Sequence, residues 1–127
     1  MAYPTGSGSE RLQRGTIHNM VNTDTAFRFD GGLTATGTNT YAVPANHIIT
    51  VLKIIICSNI ASSKIFQLIV IAGGVNMNLL YQQTVSAKGT FVWNEKIVLH
   101  PTDKLMLGGD SGANFDVTYT YVDQDWS

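Results

Sequence analysis

With a single cysteine, Cys57, the chain cannot form an internal disulfide or a thiolate metal cluster. Set in a run of Ile and Val, that residue reads as a small buried hydrophobe rather than a reactive thiol. Charge is also scarce. Asp, Glu, Lys and Arg make up 13% of the chain, against a usual share of about 25%. A polar surface this poor in ions suits close contact with other protein, although a turn-rich β protein would look similar. The formal net charge is -1, and neither a polybasic run nor an aromatic and basic stripe occurs. A chain that works mainly by neutralising nucleic-acid phosphates is therefore excluded. No stretch approaches the about 20 apolar residues of a membrane helix, and the N-terminus lacks an apolar signal core. The expectation is a chain made in the cytosol, with no membrane partner. Sustained helical periodicity is missing, which disfavours helical and α/β architectures, and no internal repeat is evident.

What is present is concentrated in Val43 to Ala72. This stretch reads as two long strands, Ile48 to Cys57 and Lys64 to Ala72, joined by a turn of small polar residues. In the first strand one parity carries Ile48, Leu52, Ile54 and Ile56, and the other Ile49, Val51, Ile55 and Cys57. Both faces are apolar, so both require cover. One cover is the opposing layer of the domain, and the other is a partner chain, the chain's own arms or a second subunit.

On either side the pattern is of short strands. Thr16 to Val21, Thr25 to Phe29, Thr40 to Val43, Met77 to Val85, Thr90 to Leu99, Lys104 to Leu107 and Asn114 to Val122 each read as one. Met77, Leu79, Tyr81 and Val85 share one parity, as do Phe91, Trp93, Ile97 and Leu99. The last strand alternates most cleanly, with Phe115, Val117, Tyr119 and Tyr121 inward. Turn signals recur at Asp30-Gly31-Gly32, Ala72-Gly73-Gly74, His100 to Asp103 and Gly108 to Ala113. Ser9 to Arg14 reads as a charged hinge able to make one helical turn, and Leu33 to Asn39 as a loop. The expected fold is all-β: a single antiparallel β-sandwich, jelly-roll-like, over residues 15–127, with an extended N-terminal arm over 1–14. Barrel closure is the alternative.

Site chemistry is sparse. His18, His47 and His100 have no short-range ligand partner, so no zinc pattern exists. Asp103, Asp110 and Asp116 are the best available carboxylates, but the loop Gly109 to Asn114 holds one carboxylate and no spaced ligand set. Asp110-Ser111-Gly112 reads as a turn. The glycine pairs precede no helix, and no nucleophile elbow occurs. The chain therefore reads as non-enzymatic, with no cofactor and no metal. Tyr81, Trp93, Tyr119 and Tyr121 could stack on a sugar, although strand aromatics more often fill a core. The arm carries Tyr3 and Pro4, and the tail ends in Trp126, aromatics able to anchor in a neighbour's pocket. A disordered end is the alternative for both.

The run Tyr41-Ala42-Val43-Pro44-Ala45-Asn46, the apolar strand after it, Leu99 to Asp103 and the closing Phe115-Asp116-Val117-Thr118-Tyr119 resemble small tailed-bacteriophage virion proteins. The resemblance covers about Thr40 to Asp125. It implies a viral structural protein, best matched by capsid decoration (cement) proteins that bind the major capsid protein. Such proteins sit on the virion as dimers or trimers and stabilise the shell. A tail, neck or fibre accessory protein, including a glycan- or receptor-binding module, is the alternative. The residues expected at protein contacts are Tyr3, Pro4, Leu12, Arg14, Arg28 and Trp126.

Overall fold

The computed structural model describes residues 9–20, 24–30, 33–34 and 41–126. Tyr3 and Pro4, and with them the first eight residues of the expected arm, lie outside the described residues. Ten strands are described: β1 (Ser9–Met20), β2 (Thr25–Ala26), β3 (Leu33–Thr34), β4 (His47–Ser58), β5 (Lys64–Ala72), β6 (Val75–Val85), β7 (Thr90–Trp93), β8 (Ile97–Leu99), β9 (Lys104–Gly109) and β10 (Phe115–Asp125). They form two sheets, one of six strands in the order β3-β1-β10-β4-β7 with β8 also on β4, and one of four, β2-β9-β5-β6. Every described pairing is antiparallel except the short contact of β3 with β1. The first and last long strands lie side by side, and successive strands repeatedly switch sheets. That is the topology of a jelly-roll sandwich, the architecture the strand count and turn spacing predict.

The core lies between the sheets. β10 delivers Phe115, Val117, Tyr119 and Tyr121 inward, as its alternation requires, and β4 delivers Ile49, Val51, Ile54 and Ile56. Facing them are Phe66, Leu68 and Val70 from β5 and Leu105 and Leu107 from β9. Phe27, Phe29, Tyr119 and Tyr121 meet largely edge to face, with Phe27 4.7 Å and Tyr121 5.0 Å from their partners' centroids. Each such pair adds about 0.5–1.5 kcal/mol beyond the area it buries. One position admits this cluster: a Cβ on Gly15 would stand 2.2 Å from the Tyr119 ring. With that space open, the ring crosses its partner strand. The Tyr119 hydroxyl then donates to the Arg28 carbonyl at 2.5 Å and accepts from the Arg28 N–H at 3.0 Å.

Several boundaries differ from the expectation. Ser9 to Arg14 is no helical turn: it is the outer half of β1, laddered on β10 from Asp125 to Thr120. Asp123 to Asp125 correspondingly belong to β10 rather than to a tail. Thr25 to Phe29 shortens to Thr25–Ala26, because Phe27 leaves the ladder after one further bond from its N–H to the Leu105 carbonyl. Leu33–Thr34, expected in a loop, pair with β1. Tyr41 to Val43 form no strand, although Val43 exchanges backbone bonds with Thr102 and Asp103. The strand expected from Thr90 to Leu99 divides into β7 and β8, because Asn94 to Lys96 leave the sheet between them.

β6 is the largest departure. Met77, Leu79, Tyr81 and Val85 share one parity in the sequence, yet only Val85 is buried, and Met77, Leu79 and Tyr81 are exposed. Two register shifts against β5 take Leu79 and Tyr81 out of the common face. Ile69 pairs with Asn78 and Leu68 with Leu80, so Leu79 is an extra residue. Phe66 pairs with Gln83, so Tyr81 and Gln82 together oppose Gln67, with Gln82 at φ 53°. Each bulge resets the parity, and Leu80 replaces Leu79 on the core side. These bulges also break the free edge from Leu79 to Gln82, while Val75 to Asn78 keep a regular register.

Candidate interaction surfaces

The six-stranded sheet has one face in the core and one outside, and ladder registers define the outer face row by row. Leu12, Val122, Thr50 and Val98 stand in one row across β1, β10, β4 and β8. Two residues on along β1, Arg14, Thr120 and Lys53 form the next row. Thr16, Thr118, Ile55 and Val92 form the third, across β1, β10, β4 and β7. Leu12 is 70% exposed, Val98 56% and Val92 44%, while Val122 and Ile55 are half-buried. Two bands of apolar and threonine side chains thus flank a pair of cations. Arg14 and Lys53 make no ion pair among the described residues. This is the outward half of the doubly apolar strand: one face of β4 is in the core, and Ile48, Ile55 and Cys57 are left outside it.

Charged residues are paired at both ends of the sheet. On its core side, beyond Ile49 and Tyr121, His47 Nδ1 lies 2.8 Å from Asp123 Oδ1, with both side chains largely buried, and Nε2 lies 3.6 Å from Asp125. At the other end, on the outer face, His18 Nδ1 is 2.9 Å from Asp116 Oδ1, which also accepts the Asn19 N–H at 3.0 Å. The Asn19 bond, aided by Asn59 and by attraction to His18 and opposed by partial burial, holds the Asp116 carboxyl below its ordinary value.

A second surface lies on the outer side of the four-stranded sheet. Gly108 of β9 pairs with Gln67 of β5, and Gln67 faces the Tyr81–Gln82 bulge of β6. On one side of Gln67 the Asp24 carboxylate occupies the space that a side chain at position 108 would fill, and on the other side lies the bulge that carries Tyr81. The rim is completed by Asp110 and Ser111 in a turn whose Ala113 N–H donates to the Asp110 carbonyl, with Gly112 at φ 77°. The resulting cleft has a volume of about 290 Å³. Among the described residues no three His, Cys, Asp or Glu side chains converge as a metal site would need.

The expected contact residues are dispersed. Leu12 and Arg14 lie on the outer face of the six-stranded sheet, in adjacent rows. Arg28 lies apart from them, on the loop after β2: its guanidinium forms a two-pronged pair with Asp30, 2.5 Å at the closer contact, and stands 6.0 Å over the Tyr41 ring. Trp126 is half-buried, and its backbone N–H donates to the Asn46 carbonyl at 2.8 Å, so the tail is docked on its own chain. Val92, Val98, Val122 and Lys53 were not singled out as contacts. The signal for the first two was their position on the second parity of the Thr90 to Leu99 pattern; Lys53 and Val122 needed the register.

No protein-family model matches the chain, and no curated protein sequence does. Among solved structures, the globular domain of zebrafish complement 1qA protein is similar at 15% identity, over 88% of this chain and 92% of that one, with a TM-score of 0.44. A chain of the infectious bursal disease virus Gx strain structure is similar at 13% identity, with a TM-score of 0.48. That match takes in 97% of this chain, which spans about a third of the viral one (35%).

Proposed function

We propose that this chain is a non-enzymatic structural protein of a virion. In this reading it is a capsid decoration (cement) protein that seats the outer face of its six-stranded sheet on the major capsid protein. The observation that carries the reading is the pair of uncovered apolar bands on that face. Four strands about 4.8 Å apart and about ten residues long span on the order of 600 Å², close to the about 800 Å² that one partner contributes to a stable interface. Charge selects the occupant. A two-fold pairing of this face with itself would bring the Arg14–Lys53 row near its own copy, whereas a shell protein offering carboxylates between apolar side chains would match it. Self-association into a dimer or trimer belongs to the same proposal. The free edge of β6 beside the exposed Val75 and Met77 is where a second copy would pair.

The test is co-sedimentation of purified protein with shells from which it has been stripped. Val98→Glu places a carboxylate in the apolar row without entering the core. It is expected to weaken shell binding at least about tenfold while leaving the circular dichroism spectrum and the melting temperature unchanged. Undiminished binding by Val98→Glu would remove this face from the proposal.

A further inference from the structure

The cleft on the four-stranded sheet is far from the face just assigned, and its lining is of a different kind. We propose that it binds a single neutral hexopyranose residue, and this does not depend on the shell reading. Its volume of about 290 Å³ is at the lower end of the roughly 300–1,000 Å³ of small-molecule sites, enough for one six-membered ring and its substituents. Tyr81 is 64% exposed, so its ring face is free to receive the C–H face of a pyranose. Unlike the core tyrosines, it belongs to a bulge that lifts it off the sheet.

The groups around that ring suit hydroxyls. The side-chain amides of Gln67 and Gln82 make no hydrogen bond among the described residues, and each offers a donor and an acceptor. Asp110 Oδ1 accepts the Ser111 N–H at 2.7 Å, and its second oxygen remains to accept from a sugar hydroxyl. Gly108 makes room for a second carboxylate at this end: a Cβ there would stand 2.3 Å from Asp24 Oδ1. Among the described residues no cation lines the cleft, and Lys64, beside the loop, gives its ammonium N–H to the Ser111 carbonyl at 3.0 Å. With a carboxylate on the rim, sialic acids, uronic acids and nucleotides are disfavoured, and a neutral polyhydroxylated ring is the class that satisfies both stacking and polar groups.

The experiment follows backbone amide shifts of the isotope-labelled full chain. It is titrated separately with the methyl glycosides of glucose, galactose and mannose, and with that of N-acetylneuraminic acid. At least one neutral glycoside is expected to cause saturable shifts at Gly108, Gly109 and Ser111, with a dissociation constant on the order of 1 mM. Tyr81→Ala should weaken that binding by about tenfold or more, while Tyr81→Phe, which keeps the ring, should hold it within about threefold. The anionic glycoside should not bind there. The proposal is overturned if no neutral glycoside gives saturable shifts, if the shifts fall elsewhere, if Tyr81→Ala binds as the parent does, or if the anionic sugar binds equally well.

Discussion

Asp116 joins three parts of the chain that the sequence separates: a carboxylate at the start of β10, the Asn19 N–H at the bulge ending β1, and Asn59 after β4. Ion pairing with His18 spans 98 positions, so no local pattern could have announced it. The consequence is a pH dependence with a definite sign. Because the folded carboxyl titrates below its ordinary value, its stabilisation is complete above about pH 4 and is lost as the pH falls through the folded pKa. Asp116→Asn keeps an oxygen for the Asn19 N–H but cannot titrate. Urea midpoints measured from pH 5 to about pH 2 should therefore fall less steeply for Asp116→Asn than for the parent. Parallel curves would mean that Asp116 contributes nothing to acid sensitivity. Tyr41 shows burial acting the other way: removal from water pushes its hydroxyl up to about 12.

Among elements, β10 was legible because its alternation carries the whole message, and β4 because it is apolar on both parities. A bulge at Leu52 switches the parity of β4, however, so its core face takes Ile49 and Val51 from one set and Ile54 and Ile56 from the other. The rest needed partners. β1 extends through Ser9 to Arg14 only because β10 is there to pair with it, and its charges are compatible with an outer face and an edge. β6 was misread at Leu79 and Tyr81 because a bulge is a property of two strands, invisible in one. The same dependence gives Gly15 its importance. It looks like an ordinary strand glycine in sequence, yet it holds the place into which the Tyr119 ring folds. Gly15→Ala must displace a ring fixed by two bonds to Arg28, in a core where overpacking alone costs about 1–3 kcal/mol. The expected loss of melting temperature is roughly 10 °C. A melting temperature within a degree or so of the parent's would show that the ring relaxes freely.

At the scale of the molecule, the jelly roll follows from many short strands with turn residues between them, and the sequence carried that much. It did not carry adjacency. Tyr81 and Asp110 were each noticed as chemistry-bearing residues, but only the order β9-β5-β6 brings them to one cleft. Likewise Leu12 and Arg14 were chosen for lying in an arm, whereas they belong to rows completed by Val98 and Lys53 from strands remote in sequence. Two surfaces of different character, one apolar with a cationic row and one polar around an exposed ring, divide the proposed roles between attachment and recognition. The attachment role fixes a stoichiometry, since a protein that decorates a shell must be present in proportion to it. The most direct measurement is the copy number of this chain per purified particle, by quantitative mass spectrometry against the major capsid protein. A fixed ratio near one, or another large constant fraction, is the predicted result; a dozen copies or fewer would move the chain to the tail or neck, and its absence from the particle would contradict the virion reading.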